Sequence, residues 1–158
     1  MITVSLFFSF TLIGIISFFT IKKANHTLTL IFLLMVIEFF FTSFISVIVD
    51  NAKLWTVTKS TRYFIMFRVT EVVVFPLLLL WYIESVKRGS TFSKKLIITV
   101  LWVGVLVGVE TILSHVHIFT YEKWKVWGSI IVWFTFLSFL QILQGLFSRI
   151  LFKEGISK

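Results

Sequence analysis

Short polar joints divide this chain into five apolar runs, at 2–21, 28–49, 63–84, 96–117 and 126–147. An α-helix of about 20 apolar residues crosses the roughly 30 Å hydrocarbon core of a bilayer. Each run therefore predicts one membrane-crossing helix. Composition agrees: 58% of residues are hydrophobic and 14% charged, against about 45–50% and about 25% in a typical soluble domain. A domain of 158 residues cannot hide that excess from water. The expected fold is all-α, a single polytopic bundle of five spans over 1–158. Short joints make consecutive helices antiparallel neighbours, and no convincing internal sequence repeat is visible.

Orientation follows from the cations. Lys22, Lys23, Lys87, Arg88, Lys94, Lys95, Arg149, Lys153 and Lys158 fall on one side, and Lys53, Lys59, Arg62, Lys123 and Lys125 on the other. The positive-inside rule places the richer side in the cytoplasm, with the N-terminus out and the C-terminus in. The net charge of +8 is explained by these joints, and nucleic acid is not an expected partner. Nothing basic precedes Ile2 and no small-residue cleavage site follows the first run, so that run reads as a retained helix. Trp55, Tyr63, Tyr121, Trp124 and Trp127 fall at the outer interface, and Trp81 and Tyr82 at the inner one, where amphipathic rings are favoured.

Four ionisable residues interrupt the apolar runs: Glu38, Arg68, Glu71 and Glu110. At about 1.5 Å of rise per residue, Glu38 lies near the middle of its run, Glu71 and Glu110 roughly 4–5 Å toward the outer side, and Arg68 roughly 8 Å. Charges inside a bilayer are expensive and face inward, where they find partners. Arg68 and Glu71 are three residues apart and share a helix face. Glu38 and Glu110 have no evident cation, which predicts a carboxyl that is protonated or holds a cation. Glu38 continues into Thr42 and Ser46, and Glu110 into Ser114 and His117, as polar stripes at helical spacing. Gly104 and Gly108 form a GxxxG pair suited to close helix packing, which makes the fourth helix the expected centre of the bundle. Ser138, Gln141, Gly145 and Ser148 mark a polar face on the fifth. Pro76, the only proline, lacks the N–H for the Val72 carbonyl and predicts a kink beside Glu71.

His115 and His117, two apart, point different ways on a helix and make a poor chelating pair even with Glu122, so no metal is expected. Glu84 reads as an ordinary surface partner of Lys87 or Arg88. The chain has no cysteine, and none of the familiar hydrolase, nucleotide or dinucleotide motifs is present. No cofactor and no enzymatic activity are expected.

The segments "TKSTRYFIMFRVTEVVVFP", "VGVE…YEKWKVWGSIIVWF" and "SRILFKEG" resemble small multi-helix membrane proteins of unknown function from spore-forming Firmicutes. The resemblance rests on Glu71 five residues before Pro76, Glu110 late in its run, and Trp124, Trp127 and Trp133 ahead of a basic tail. It covers roughly the last 100 residues and implies a multi-pass protein of a Gram-positive plasma membrane. Two functions are expected of such a chain. One is binding or transport of a proton, a cation or a small polar ligand at the Glu/Arg site. The other is a non-transporting assembly or sensory subunit that meets a partner membrane protein or a second copy.

Overall fold

The computed structural model describes residues 2–20 and 22–156. Ile21, the expected end of the first run, and Lys158, counted among the cations, lie outside the described residues. Five helices and two short strands follow in the order α1 (Ile2–Thr20), α2 (Thr27–Asn51), β1 (Trp55–Val57), α3 (Thr61–Arg88), α4 (Phe92–His115), β2 (Phe119–Tyr121) and α5 (Val126–Lys153). Four of them, α2 to α5, are long and apolar enough to cross a membrane, while α1 is a shorter apolar helix. These dimensions are compatible with an integral membrane protein.

Helices α2 to α5 form a ring in which each packs on the next and α5 returns to α2. α1 lies outside the ring against α3, where Gly14 gives Leu77 room for close approach. α2 turns inward Leu33, Ile37, Phe41 and Ile45, a stripe at four-residue spacing. The expected centre was the fourth run. The structure corrects this: 44% of the apolar window of α3 is buried, against 28% for α4. α3 touches α1, α2, α4 and α5, and none of the other three long helices buries so large a share of its apolar window.

Pro76 is accommodated by a change of helical register. Thr70–Val74 form a π-helical turn in which the Phe75 N–H reaches the Thr70 carbonyl, and Pro76 then opens the next α-helical segment. A helix start needs no N–H at that position. A second π turn, Val47–Asn51, ends α2.

The two strands were not foreseen. They pair antiparallel, with Trp55 opposite Tyr121, Thr56 opposite Thr120 and Val57 opposite Phe119. Their aromatic and β-branched residues suit strands. An isolated two-stranded ribbon is marginal in water, but this one rests on the bundle: Trp55 and Phe119 stack at 4.6 Å and both are buried. Each strand follows a helix through one residue in the left-handed region, Lys53 or His117. The chain thus contains two consecutive helix–strand–helix units of equal length, 27–88 and 92–153, whose strands meet at Thr56 and Thr120. This repeat is architectural and parallel in sense, and residue identity does not carry it.

Candidate functional site

The buried ionisable residues separate into distinct clusters. At the sheet end, Arg68 closes the first α-helical part of α3 and Glu71 lies in the π turn that follows. Their side chains pair at 2.7 Å, with Glu71 only 2% exposed and Arg68 55% exposed. Arg68 was expected to face inward. It reaches outward from the buried carboxylate, and among the described residues its other guanidinium N–H groups make no hydrogen bond. Its guanidinium also lies 5.3 Å from the Phe64 ring. Among the described residues this is the only ion pair.

The pair lines an open cavity of about 620 Å³ between α2, β1 and α3. α2 contributes Thr42, Ser46 and Asp50, and the Ser46 hydroxyl donates to Asp50 at 3.1 Å. Lys53 adds a cation and Trp55 an aromatic wall. The Trp55 ring is buried, and its indole N–H has no acceptor among the described residues. The charged lining is balanced, with Asp50 and Glu71 set against Lys53 and Arg68. Of the expected Glu38 stripe, Thr42 and Ser46 reach this cavity. Glu38 itself is half-buried on α2 and, among the described residues, makes no hydrogen bond to Arg68, Glu71 or Glu110.

Glu110 belongs to a different cluster. It is 1% exposed. Its Oε1 accepts from the Tyr121 hydroxyl at 2.8 Å and the Ser129 hydroxyl at 2.6 Å, and its Oε2 accepts from the Trp133 indole at 2.8 Å. Ser129 in turn accepts the Trp124 indole N–H at 2.7 Å. Every donor in this network points toward the carboxylate, which suits an acceptor-only, ionised group. The partners of the Glu110 carboxyl are thus three neutral groups from β2 and α5, and among the described residues it has no cation within 4.0 Å. Burial, reinforced by the Glu110 charge, pushes the Tyr121 phenol well above its usual pKa range.

The other members of the expected Glu110 stripe do not join it. α4 ends at His115, so His117 stands outside the helix, exposed and in the left-handed region. Ser114 is half-buried and makes no side-chain hydrogen bond among the described residues. Gly104 and Gly108 face open space, because a Cβ built on either meets nothing within 4 Å. Among the described residues no helix packs against them, contrary to the expected tight neighbour.

Between the clusters lies an aromatic layer. Phe75, one turn beyond Glu71 on α3, stacks on Trp133 at 5.2 Å, and Phe41 of α2 stacks on the same indole at 5.8 Å. Four supposed interface anchors turn inward: Trp55 is buried, Tyr121 and Trp124 enter the Glu110 network, and Tyr82 is fully buried with its hydroxyl 3.0 Å from that of Thr99. Trp127 remains exposed, as an interface residue should be.

Sequence reasoning missed a third cluster at the opposite end. Glu84 is buried and bonds neither Lys87 nor Arg88. It accepts the Ala24 N–H at 2.5 Å, the Asn25 N–H at 3.2 Å and the Asn25 amide at 3.1 Å. Asn25 Oδ1 accepts from Gln144 at 2.7 Å. The joint between α1 and α2 is thereby fastened to both α3 and α5. A signal was available in Gln144, a polar side chain of the fifth run that lies off the face marked by Ser138, Gln141, Gly145 and Ser148. No protein-family model, curated protein or solved structure matches the chain, so its function is argued from this geometry.

Proposed function

We propose that this chain is a multi-pass membrane protein that binds a small zwitterionic ligand in the cavity at its sheet end. The observation that carries the reading is the Arg68–Glu71 pair, a buried carboxylate holding a half-exposed guanidinium at the mouth of a 620 Å³ space. A lining of two carboxylates and two cations favours a ligand that offers both signs of charge over a free ion of either sign. The aromatic wall of Trp55, Phe64 and Phe67 suits the apolar part of such a molecule.

Binding is favoured over conduction because the polar lining stops at Glu71. Beyond it come Phe75, Phe41 and Trp133, then the apolar core of Leu79, Tyr82 and Ile83. In the five-span orientation given by the positive-inside rule, the cavity opens outward from a bacterial plasma membrane. A second reading, an assembly subunit, draws on Gly104 and Gly108, whose open ridge on α4 has the form of a helix-docking face.

Thermal unfolding of the protein in nanodiscs tests the first reading, with millimolar amino acids and betaines as probes. A ligand at a hundredfold excess over its Kd stabilises by about 2.7 kcal/mol. A saturable shift that disappears in Arg68→Gln and in Glu71→Gln is expected. If no zwitterion shifts the folded wild type, or the shift survives both substitutions, the reading fails.

A further inference from the structure

At the end opposite the sheet, a second cavity of about 690 Å³ opens between the α1–α2 joint, the last turn of α3 and the end of α5. Its lining holds Lys87, Arg149 and Lys153 and contains no carboxylate. Arg149 and Lys153 are one turn apart on α5 and share a face, while Lys87 comes from α3. Among the described residues none of the three has a carboxylate within 4.0 Å. This separates it from the sheet-end cavity, whose charges cancel. Three cations brought to one space without a counter-charge repel one another, and an anion relieves that repulsion.

The walls are fixed from beneath. Glu84, the acid best placed to neutralise Lys87, directs its oxygens at the backbone of Ala24 and Asn25. Asn25 is held again by Gln144. His26 follows directly and caps α2, its Nδ1 accepting the Leu28 N–H. That bond leaves Nε2 of the neutral ring as a donor, and His26 also lines the cavity. The lining therefore offers cations and N–H donors on a backbone that buried hydrogen bonds keep in place.

The rim identifies the source of the anion. Phe152 and Ile156 are exposed and line the same cavity beside Lys153. An inorganic anion has no use for an apolar rim, whereas a lipid headgroup seated at the membrane interface does. We propose that this cavity binds the phosphate of an anionic phospholipid headgroup, with Arg149, Lys153 and Lys87 around the phosphate, Phe152 and Ile156 at the headgroup level, and the chains descending past Gly145, which lines the cavity on the membrane side and faces open space. Basic pockets between helices at a membrane surface serve this chemistry. The inference is independent of the sheet-end ligand.

Native mass spectrometry of delipidated protein tests it, with phosphatidylglycerol, phosphatidylcholine and inorganic phosphate as the probes. Phosphatidylglycerol should be retained in preference to phosphatidylcholine. Arg149→Gln with Lys153→Gln should weaken phosphatidylglycerol by roughly fivefold per charge removed, and the single Lys87→Gln by a similar factor. Lys94→Gln with Lys95→Gln removes equal charge at the same end but outside the cavity, and should leave the preference intact. Equal weakening by the two pairs would reduce the effect to diffuse surface charge and overturn the proposal. So would the absence of a preference for phosphatidylglycerol, or its displacement by an equal concentration of inorganic phosphate.

Discussion

Tyr121 on β2 donates to Glu110 on α4 across 2.8 Å, and this bond ties the sheet to the bundle. Ser129 and Trp133 bring α5 to the same carboxylate. Glu110 is therefore a joint between three elements. Glu110→Leu leaves three donors without an acceptor and should cost about 3 kcal/mol or more. Tyr121→Phe removes a single bond and should cost about 1–2 kcal/mol, whereas Trp133→Phe also shrinks the buried ring on which Phe41 and Phe75 stack and should cost more. Unfolding in mixed micelles measures all three. A Glu110→Leu protein as stable as wild type would show that the network carries no weight in folding.

The same contact sets an alkaline limit. The folded-state pKa of Tyr121 is raised, chiefly by burial and then by the Glu110 charge. Below the ordinary tyrosine pKa of about 10, the phenol is neutral in both the folded and the unfolded chain. Above it, the unfolded chain releases the proton more readily, so stability falls as pH rises through that range. Tyr121→Phe, though less stable at pH 7, should show a shallower loss above pH 10. Parallel pH profiles for the two proteins would exclude Tyr121 as the source.

Much of this bundle was legible in the sequence, and the reason is dimensional. Apolar run length reports the solvent of a helix, so the starts of α2 to α5 lie within four residues of expectation, while α5 runs six residues past its expected end into the basic tail. Depth along a helix was taken from run length alone, which put Glu71 and Glu110 at similar heights. Height says nothing of azimuth, however, and the two carboxylates face different partners. The strands escaped notice because three residues carry little periodicity, and because Trp55 and Tyr121 are distant in sequence while adjacent in the sheet. Tyr121, Trp124 and Tyr82 were assigned to the interface because amphipathic rings are common there. An indole or phenol that finds a buried acceptor is equally satisfied inside. Glu84 was misread for a related reason: its i+3 and i+4 cations are visible in the sequence, whereas the backbone N–H groups of a distant joint are not.

Glu84 should control that joint. Glu84→Ala removes the acceptor for the Ala24 and Asn25 N–H groups, and the α1–α2 connection loses its anchor to α3. Hydrogen exchange at these two amides should accelerate by roughly tenfold or more, the equivalent of about 1.4 kcal/mol. Exchange in the middle of α4 should not change. Unaltered exchange at Ala24 and Asn25 would mean that Gln144 alone fixes the joint.

The GxxxG ridge separates folding from association. Nothing lies within 4 Å of a Cβ at Gly104 or Gly108, so Gly104→Leu should be accommodated within one chain. It should even gain up to about 1 kcal/mol of helix propensity. If α4 docks on a partner helix through this ridge, the same substitution weakens the association, read by crosslinking or single-molecule photobleaching in nanodiscs. Loss of monomer stability in Gly104→Leu would contradict the packing described here.

The cysteine-free chain makes topology directly measurable with single cysteines and a membrane-impermeant thiol reagent. Ser90 lies in the joint between α3 and α4, and Ser60 lies between β1 and α3, at the opposite end of the bundle. Ser60→Cys should label in intact cells and Ser90→Cys only after permeabilisation, because cations are denser around Ser90. α1 needs its own test, being shorter than the other four helices. If it crosses the membrane, an epitope fused ahead of it is accessible on the Ser60 side while Lys22→Cys labels on the Ser90 side. An epitope found on the Ser90 side would leave four spans with α1 lying along the bundle. Labelling of Ser90→Cys from outside would invert the orientation, and the sheet-end cavity would then face the cytoplasm.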